Sequence, residues 1–194
     1  MHPIQCKCGA VKGKLDSNGT SNRIICYCTD CRAFAHFLGK ASDVLDEQGG
    51  TEIVQVAQHR LLFCQGEELL SAVRLSEKGM IRWYATCCGT PIGNTMARPK
   101  SSFIGLIHSC LDCQQMDKDF GAKVAVLNTD TALGQTKPKQ RGLLGVIVRF
   151  IWIIFTNRVN GRYKKSPFFN SAGLPRVSPK ILRADELENL KSAV

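Results

Sequence analysis

Cys26-Tyr27-Cys28-Thr29-Asp30-Cys31 puts three thiols within six residues, at the spacing C-x-C-x-x-C. One short loop can therefore aim three sulfurs at one point, as a zinc ion requires at sulfur distances of roughly 2.3 Å. The loop supplies three ligands and tetrahedral zinc takes four. Either a distant residue closes the site, or a water or substrate occupies the open position.

Outward from this loop the chain reads as short strands and turns. Cys6-Lys7-Cys8-Gly9 is a second knuckle, in which Gly9 suits the positive φ of a turn that points backbone N–H groups at sulfur. Residues 10–15 alternate, with Val11, Gly13 and Leu15 on one side and Lys12 and Lys14 on the other, which predicts a half-buried strand. Residues 16–20 are a turn, and residues 23–27 are a strand leading into the three-cysteine loop. Residues 32–60 carry no clear pattern, and residues 43–50 are expected to be loop. Residues 61–64 and 69–75 read as strands around Gln65-Gly66-Glu67. Residues 81–84 form a strand that ends at Cys87-Cys88-Gly89-Thr90-Pro91, and residues 103–107 form another. Strands this short and this frequent predict a small all-β unit over residues 1–115.

A different composition follows. Residues 116–140 are expected to be a linker, polar from residue 129 and containing Pro138. Residues 141–194 form a basic extension. The net charge of the chain is +10. Residues 136–194 hold twelve Lys or Arg and three acids, so nearly all of that charge lies in the extension. Within it, residues 143–155 are almost wholly apolar and predict a helix. Thirteen residues fall short of the ~20 needed to span a bilayer. The helix is therefore expected to be buried, with a place in a membrane surface as the second reading. Residues 162–180, with Pro167, Pro175 and Pro179, should be irregular. Residues 184–191 predict a terminal helix with Leu187 and Leu190 on one face.

The start of the chain lacks an apolar segment behind a positive charge, so the expected location is cytoplasmic. Of the ten cysteines most are clustered, which in a reducing compartment favours thiolate metal ligands over disulfides. Isolated Cys64 reads as a buried free thiol. Cys110-Leu-Asp-Cys113 is a further C-x-x-C, read as two half-exposed thiols because no second knuckle remains to complete a site. His36, His59 and His108 are ligand candidates by residue type only. His36 lies near Cys31 and is the first to consider as a fourth ligand or proton shuttle.

Taken together, C-x-C-G near the start, C-x-C-x-x-C about 18 residues later, Phe63-Cys-Gln-Gly66 before a strand, and Arg-Trp-Tyr running into a Cys-Gly-Thr-Pro turn are similar to the glutathione-dependent formaldehyde-activating enzyme and centromere protein V family. The resemblance covers roughly residues 4–108. It implies a mainly β, β-tent zinc-binding fold of short antiparallel strands, here with a C-terminal extension containing an apolar α-helix. It also implies one or two zinc ions per chain. The structural site would use Cys6, Cys8 and a C-x-x-C ending at Cys88, and the second site would use Cys26, Cys28 and Cys31. This chain departs from the pattern at Ala85, where the first cysteine of that C-x-x-C belongs, and has Cys87 beside Cys88 instead. Cys87 closes the structural site through a tight bend, or turns to cap the three-cysteine site, or the structural site is lost. The first is preferred because Cys6 and Cys8 would otherwise be stranded.

The function that the resemblance implies is carbon–sulfur lyase chemistry on glutathione–formaldehyde adducts, with glutathione or another small thiol as partner and no catalytic side chain assigned. The alternative is a non-catalytic zinc module whose residues 136–194 contact a polyanion, either nucleic acid or a membrane surface. On that reading Tyr163, Phe168 and Phe169 among the basic residues are candidates to stack on bases.

Overall fold

A computed structural model describes residues 1–192. The strands, in chain order, are β1 (His2–Gln5), β2 (Lys12–Leu15), β3 (Asn22–Cys26), β4 (Thr51–Ala57), β5 (Leu61–Gln65), β6 (Leu70–Arg74), β7 (Ile81–Ala85), β8 (Pro91–Thr95), β9 (Phe103–Ile107), β10 (Ala125–Leu127) and β11 (Lys180–Ile181). The α-helices are α1 (Thr29–Phe37), α2 (Ala41–Val44), α3 (Met116–Phe120), α4 (Leu143–Val159) and α5 (Ala184–Ser192). The chain is thus mainly β. A three-stranded sheet runs β1-β2-β5, and an eight-stranded sheet runs β10-β3-β4-β9-β8-β7-β6-β11. Neighbours are antiparallel except at the two edges of the larger sheet, where β10 pairs with β3 and β11 with β6 in parallel.

The expected alternation in residues 10–15 is present: Val11, Gly13 and Leu15 are buried and Lys12 and Lys14 exposed. β5 and β6 flank the expected turn but belong to different sheets. At that switch Gly66 takes φ 72°, and a Cβ there would lie 2.3 Å from the Ala10 carbonyl oxygen. Only glycine allows the chain to cross so close to the first knuckle. The main core lies between the sheets. Ile4, Val11, Leu15, Leu61 and Phe63 of the small-sheet side meet Val54, Val56, Ile81, Trp83, Ile104 and Leu106 of the large sheet. β7 shows the period of two: Ile81, Trp83 and Ala85 enter this core, whereas Tyr84 packs on the opposite face with α1.

Several expectations need correction. β4 lies inside residues 32–60, which carried no sequence signal, yet it pairs along both sides, with β3 and with β9. α1 and α2 occupy part of the same stretch, including residues 43–44. Residues 91–95, of which only Pro91 was read, as the end of a turn, form β8. Residues 116–140 contain α3 and β10, and β10 extends the large sheet. Phe168 and Phe169 are buried in the main core and are closed to any base. Phe168 is 0% exposed, with its ring 5.9 Å from Phe63 and 4.8 Å from Trp83. The irregular extension is held there by the burial of these two adjacent aromatic side chains. α4 forms as expected but buries only one face. The terminal helix also forms, and Leu187 and Leu190 pack in the cluster containing Phe34 and Leu182. Among the described residues no helix is long and apolar enough to cross a membrane.

Phe168→Ala should therefore lower the free energy of unfolding by about 3–5 kcal/mol. Urea unfolding measures it, and an unchanged midpoint would contradict the buried position.

Candidate metal centres

Two groups of cysteine sulfurs converge, each with all its sulfurs within 4.8 Å of one another. The first contains Cys6, Cys8, Cys87 and Cys88. Cys6 and Cys8 sit in the turn between β1 and β2. There Gly9 has φ 78° and its N–H donates to the Cys6 carbonyl at 2.9 Å. The Val11 N–H donates to the Cys6 sulfur at 3.2 Å. Cys87 and Cys88 sit in the turn between β7 and β8, which the Gly89 N–H closes onto the Ala85 carbonyl. That bend carries both adjacent cysteines to the same point, and Ala85 stays in the core at 0% exposure. Thr90 ties the turns together. Its hydroxyl accepts from the Lys7 N–H at 2.9 Å and lies 3.0 Å from the Cys88 sulfur.

The sulfur separations test whether a metal fits. They are 3.6 Å for Cys6–Cys8, 3.7 Å for Cys6–Cys87, 3.3 Å for Cys8–Cys87 and 3.8 Å for Cys87–Cys88. A tetrahedron with sulfurs 2.3 Å from its centre has an edge of about 3.8 Å. The separations are far above a disulfide bond length of about 2.05 Å, and all ten cysteines are free. Four thiols with no other metal donor fit a soft or borderline cation such as zinc. Of the three alternatives at the Ala85 departure, the geometry is that of Cys87 completing the first cluster.

The second group is Cys26, Cys28 and Cys31. It was expected on a loop, but its three members sit on a strand–helix junction. Cys26 ends β3, Cys28 immediately precedes α1, and Cys31 lies in the first helical turn, with its N–H on the Cys28 carbonyl at 3.1 Å. The Cys28 and Cys31 sulfurs are 3.3 Å apart. Hydrogen bonds from Cys28 and Cys31 hold the Cys26 thiol well below the usual thiol range. The same neighbour, Cys26, first among the causes, holds the Cys28 and Cys31 thiols up. A metal that takes all three sulfurs must therefore displace protons from Cys28 and Cys31.

A fourth side stays open. It faces a cavity of about 410 Å³ between α1 and α4, with the large sheet as floor. Its apolar lining includes Ile24, Ile53, Phe103, Val146 and Phe150. Its polar lining is Asp30, Gln55, Arg82, Asn94 and Asn128. Arg82 is 4% exposed; its guanidinium donates to Asn94 at 3.3 Å and pairs with Asp30 at 3.5 Å, while its Nε has no partner. Asn128 donates to the Cys26 sulfur at 3.1 Å. It does so from φ 57°, the one non-glycine positive φ among the described residues. Asparagine tolerates that conformation better than most residues. Thr131 and buried Arg32 both donate to the Tyr27 carbonyl, binding residues 128–131 to the cysteine loop.

Other candidates lie apart. Cys64 is exposed, correcting the buried reading, because the outward face of β5 carries it. Cys110 is buried and its thiol is pushed up to about 12 by burial, whereas Cys113 is exposed, so the pair is not the half-exposed one expected. Neither belongs to a metal-like group, nor do His36, His59 and His108, among the described residues. Asn128, Arg82 and the roof from α4 were missed. An amide that reaches a sulfur 102 residues away leaves no local signal.

Residues 1–142 match the model of a family described as a family of unknown function, DUF6151, and the chain belongs to that family. No curated protein matches the chain. Among solved structures, the crystal structure of a Rhodobacter sphaeroides protein from a structural genomics programme is similar at 16% identity and a TM-score of 0.43. It covers 64% of this chain and 99% of that one.

Protein loaded with zinc and then desalted should carry two ions per chain by elemental analysis. Cys87→Ala and Cys28→Ala should each lower the content to one, and Cys113→Ala should leave it unchanged. Affinity at the three-cysteine site should fall as pH falls, because Cys28 and Cys31 regain their protons; competition titrations with a chromophoric chelator across pH measure this.

Proposed function

We propose that this DUF6151 chain is a β-tent zinc protein that acts on small thiols and carbonyl compounds at its three-cysteine site. The observation that carries the reading is the pairing of one closed four-sulfur cluster with one three-sulfur cluster open to a cavity. Structural zinc sites are closed, and catalytic ones keep a position for substrate. The resemblance to the glutathione-dependent formaldehyde-activating enzymes supports the same division and suggests carbon–sulfur bond formation and cleavage.

Cys6, Cys8, Cys87 and Cys88 would hold the structural ion, and Cys26, Cys28 and Cys31 the second. Bound there, zinc supplies a Lewis acid that lowers the pKa of a thiol or polarises a carbonyl oxygen. Asn128 orients the Cys26 sulfur through its amide N–H and draws off part of its charge, as outer partners of metal ligands do. Arg82 presents a buried cation on the cavity floor, shared with Asp30, that suits an anionic group of the ligand. Val146, Ile147 and Phe150 of α4 cover the cavity and limit water.

The zinc-loaded protein should accelerate adduct formation between glutathione and formaldehyde above the spontaneous rate. Asn128→Ala should reduce that acceleration roughly 10- to 100-fold, with two zinc ions retained. No acceleration by the wild-type protein would leave the non-catalytic zinc module as the better description.

A further inference from the structure

The two faces of α4 do different things. Val146, Ile153 and Asn157 are buried against the sheet. On the other side Leu144, Val148, Ile151, Trp152, Phe155 and Val159 are each more than half exposed. Their spacing, i, i+4, i+7, i+8, i+11 and i+15, makes one stripe along the whole helix. Beside it a groove of about 720 Å³ runs between Gly19-Thr20 and α4, walled by Trp152, Phe155 and Arg149. Arg149 is held at that wall by its Nε–H, which donates to Asn22 Oδ1 at 2.6 Å. An uninterrupted apolar stripe of this length on a surface marks a contact.

The surrounding charge identifies the contact. Between Asp130 and Asp185 there is no acidic residue, and there are eleven Lys or Arg. Arg141 precedes the stripe, and Arg158 and Arg162 stand at its far end. Pairing two copies through this face would set one basic segment against another. The complementary surface is negative at its boundary and apolar beneath. We propose that α4 is an interfacial anchor, which seats its exposed stripe in the acyl boundary of an anionic lipid surface with the flanking arginines at the head groups. At 17 residues and with polar neighbours at both ends, it lies in the plane of the interface and does not span it. Since the opposite face of the same helix roofs the three-cysteine cavity, docking places that cavity about one helix diameter, ~10 Å, from the lipid.

The test uses the full chain with vesicles of phosphatidylcholine alone or mixed with phosphatidylserine. The protein should sediment with the mixed vesicles and remain in solution with the neutral ones. At about 0.5 M salt, where the screening length falls to roughly 4 Å, its partition should weaken about tenfold. Val148→Glu with Ile151→Glu should abolish sedimentation, and metal content equal to that of the wild type checks that this variant is folded. The chain has two tryptophans, and Trp83 is buried. Brominated phosphatidylserine should therefore quench the wild-type emission and leave Trp152→Phe unquenched. Failure of the wild-type protein to bind the mixed vesicles overturns the proposal. So does retained binding by the double variant, or a concentration-dependent dimer that the double variant dissolves, which would assign the stripe to a second copy.

Discussion

The four-sulfur cluster is the clamp between the two sheets. Cys6 and Cys8 belong to the turn of the small sheet, and Cys87 and Cys88 to a turn of the large one, about eighty residues later. Four sulfurs within 4.8 Å of one another, with four of the pairs at 3.3–3.8 Å, are a costly arrangement for thiolates by themselves, because like charges at that range repel. A divalent cation held there would convert the repulsion into four short bonds. The closed loop is long, so such a link would remove much of the freedom of the unfolded chain. The Thr90 hydroxyl and the left-handed glycine turns hold the two knuckles in register for it.

The second cluster depends on the clamp only through the sheet. β3 delivers Cys26 and α1 delivers Cys31, and both rest on the face of the large sheet that is turned away from the small one. There the residues after 115 contribute most. β10 adds an edge strand beside β3, Asn128 follows it directly, and α4 closes the cavity from above. Residues that by composition suggested a linker and a charged tail are walls of the candidate site. Buried Phe168 and Phe169, β11 on β6 and α5 on α1 hold the rest of the extension to the body.

Legibility followed the range of the signal. The cysteine pairs were readable because two thiols two or three residues apart in a tight turn can share one centre, although Cys110 and Cys113 at the same spacing do not. The strand at residues 10–15 was readable from its lysines. β4 was not, although it lies inside the sheet: its glutamate and glutamine, partly buried, interrupt the apolar period. β8 begins with a proline and contains Gly93 and Asn94, all poor strand formers, and becomes a strand only because β7 and β9 lie on either side. Phe168 and Phe169 misled because aromatic residues among lysines carry the same local pattern whether they stack on a ligand or plug a core.

The candidate sulfur knuckles, the charge of the extension and the presence of an apolar helix within it were determined by the sequence alone, since each is a property of residues close together in the chain. Tertiary structure decided which knuckles share a centre, that Cys87 lies with Cys6, Cys8 and Cys88 while Ala85 stays in the core, that the second cluster opens on a cavity, and which face of α4 meets water. These depend on how two sheets and a helix stack. Contacts between residues eighty or more apart are set by total burial and by sheet register, and no local spacing encodes them.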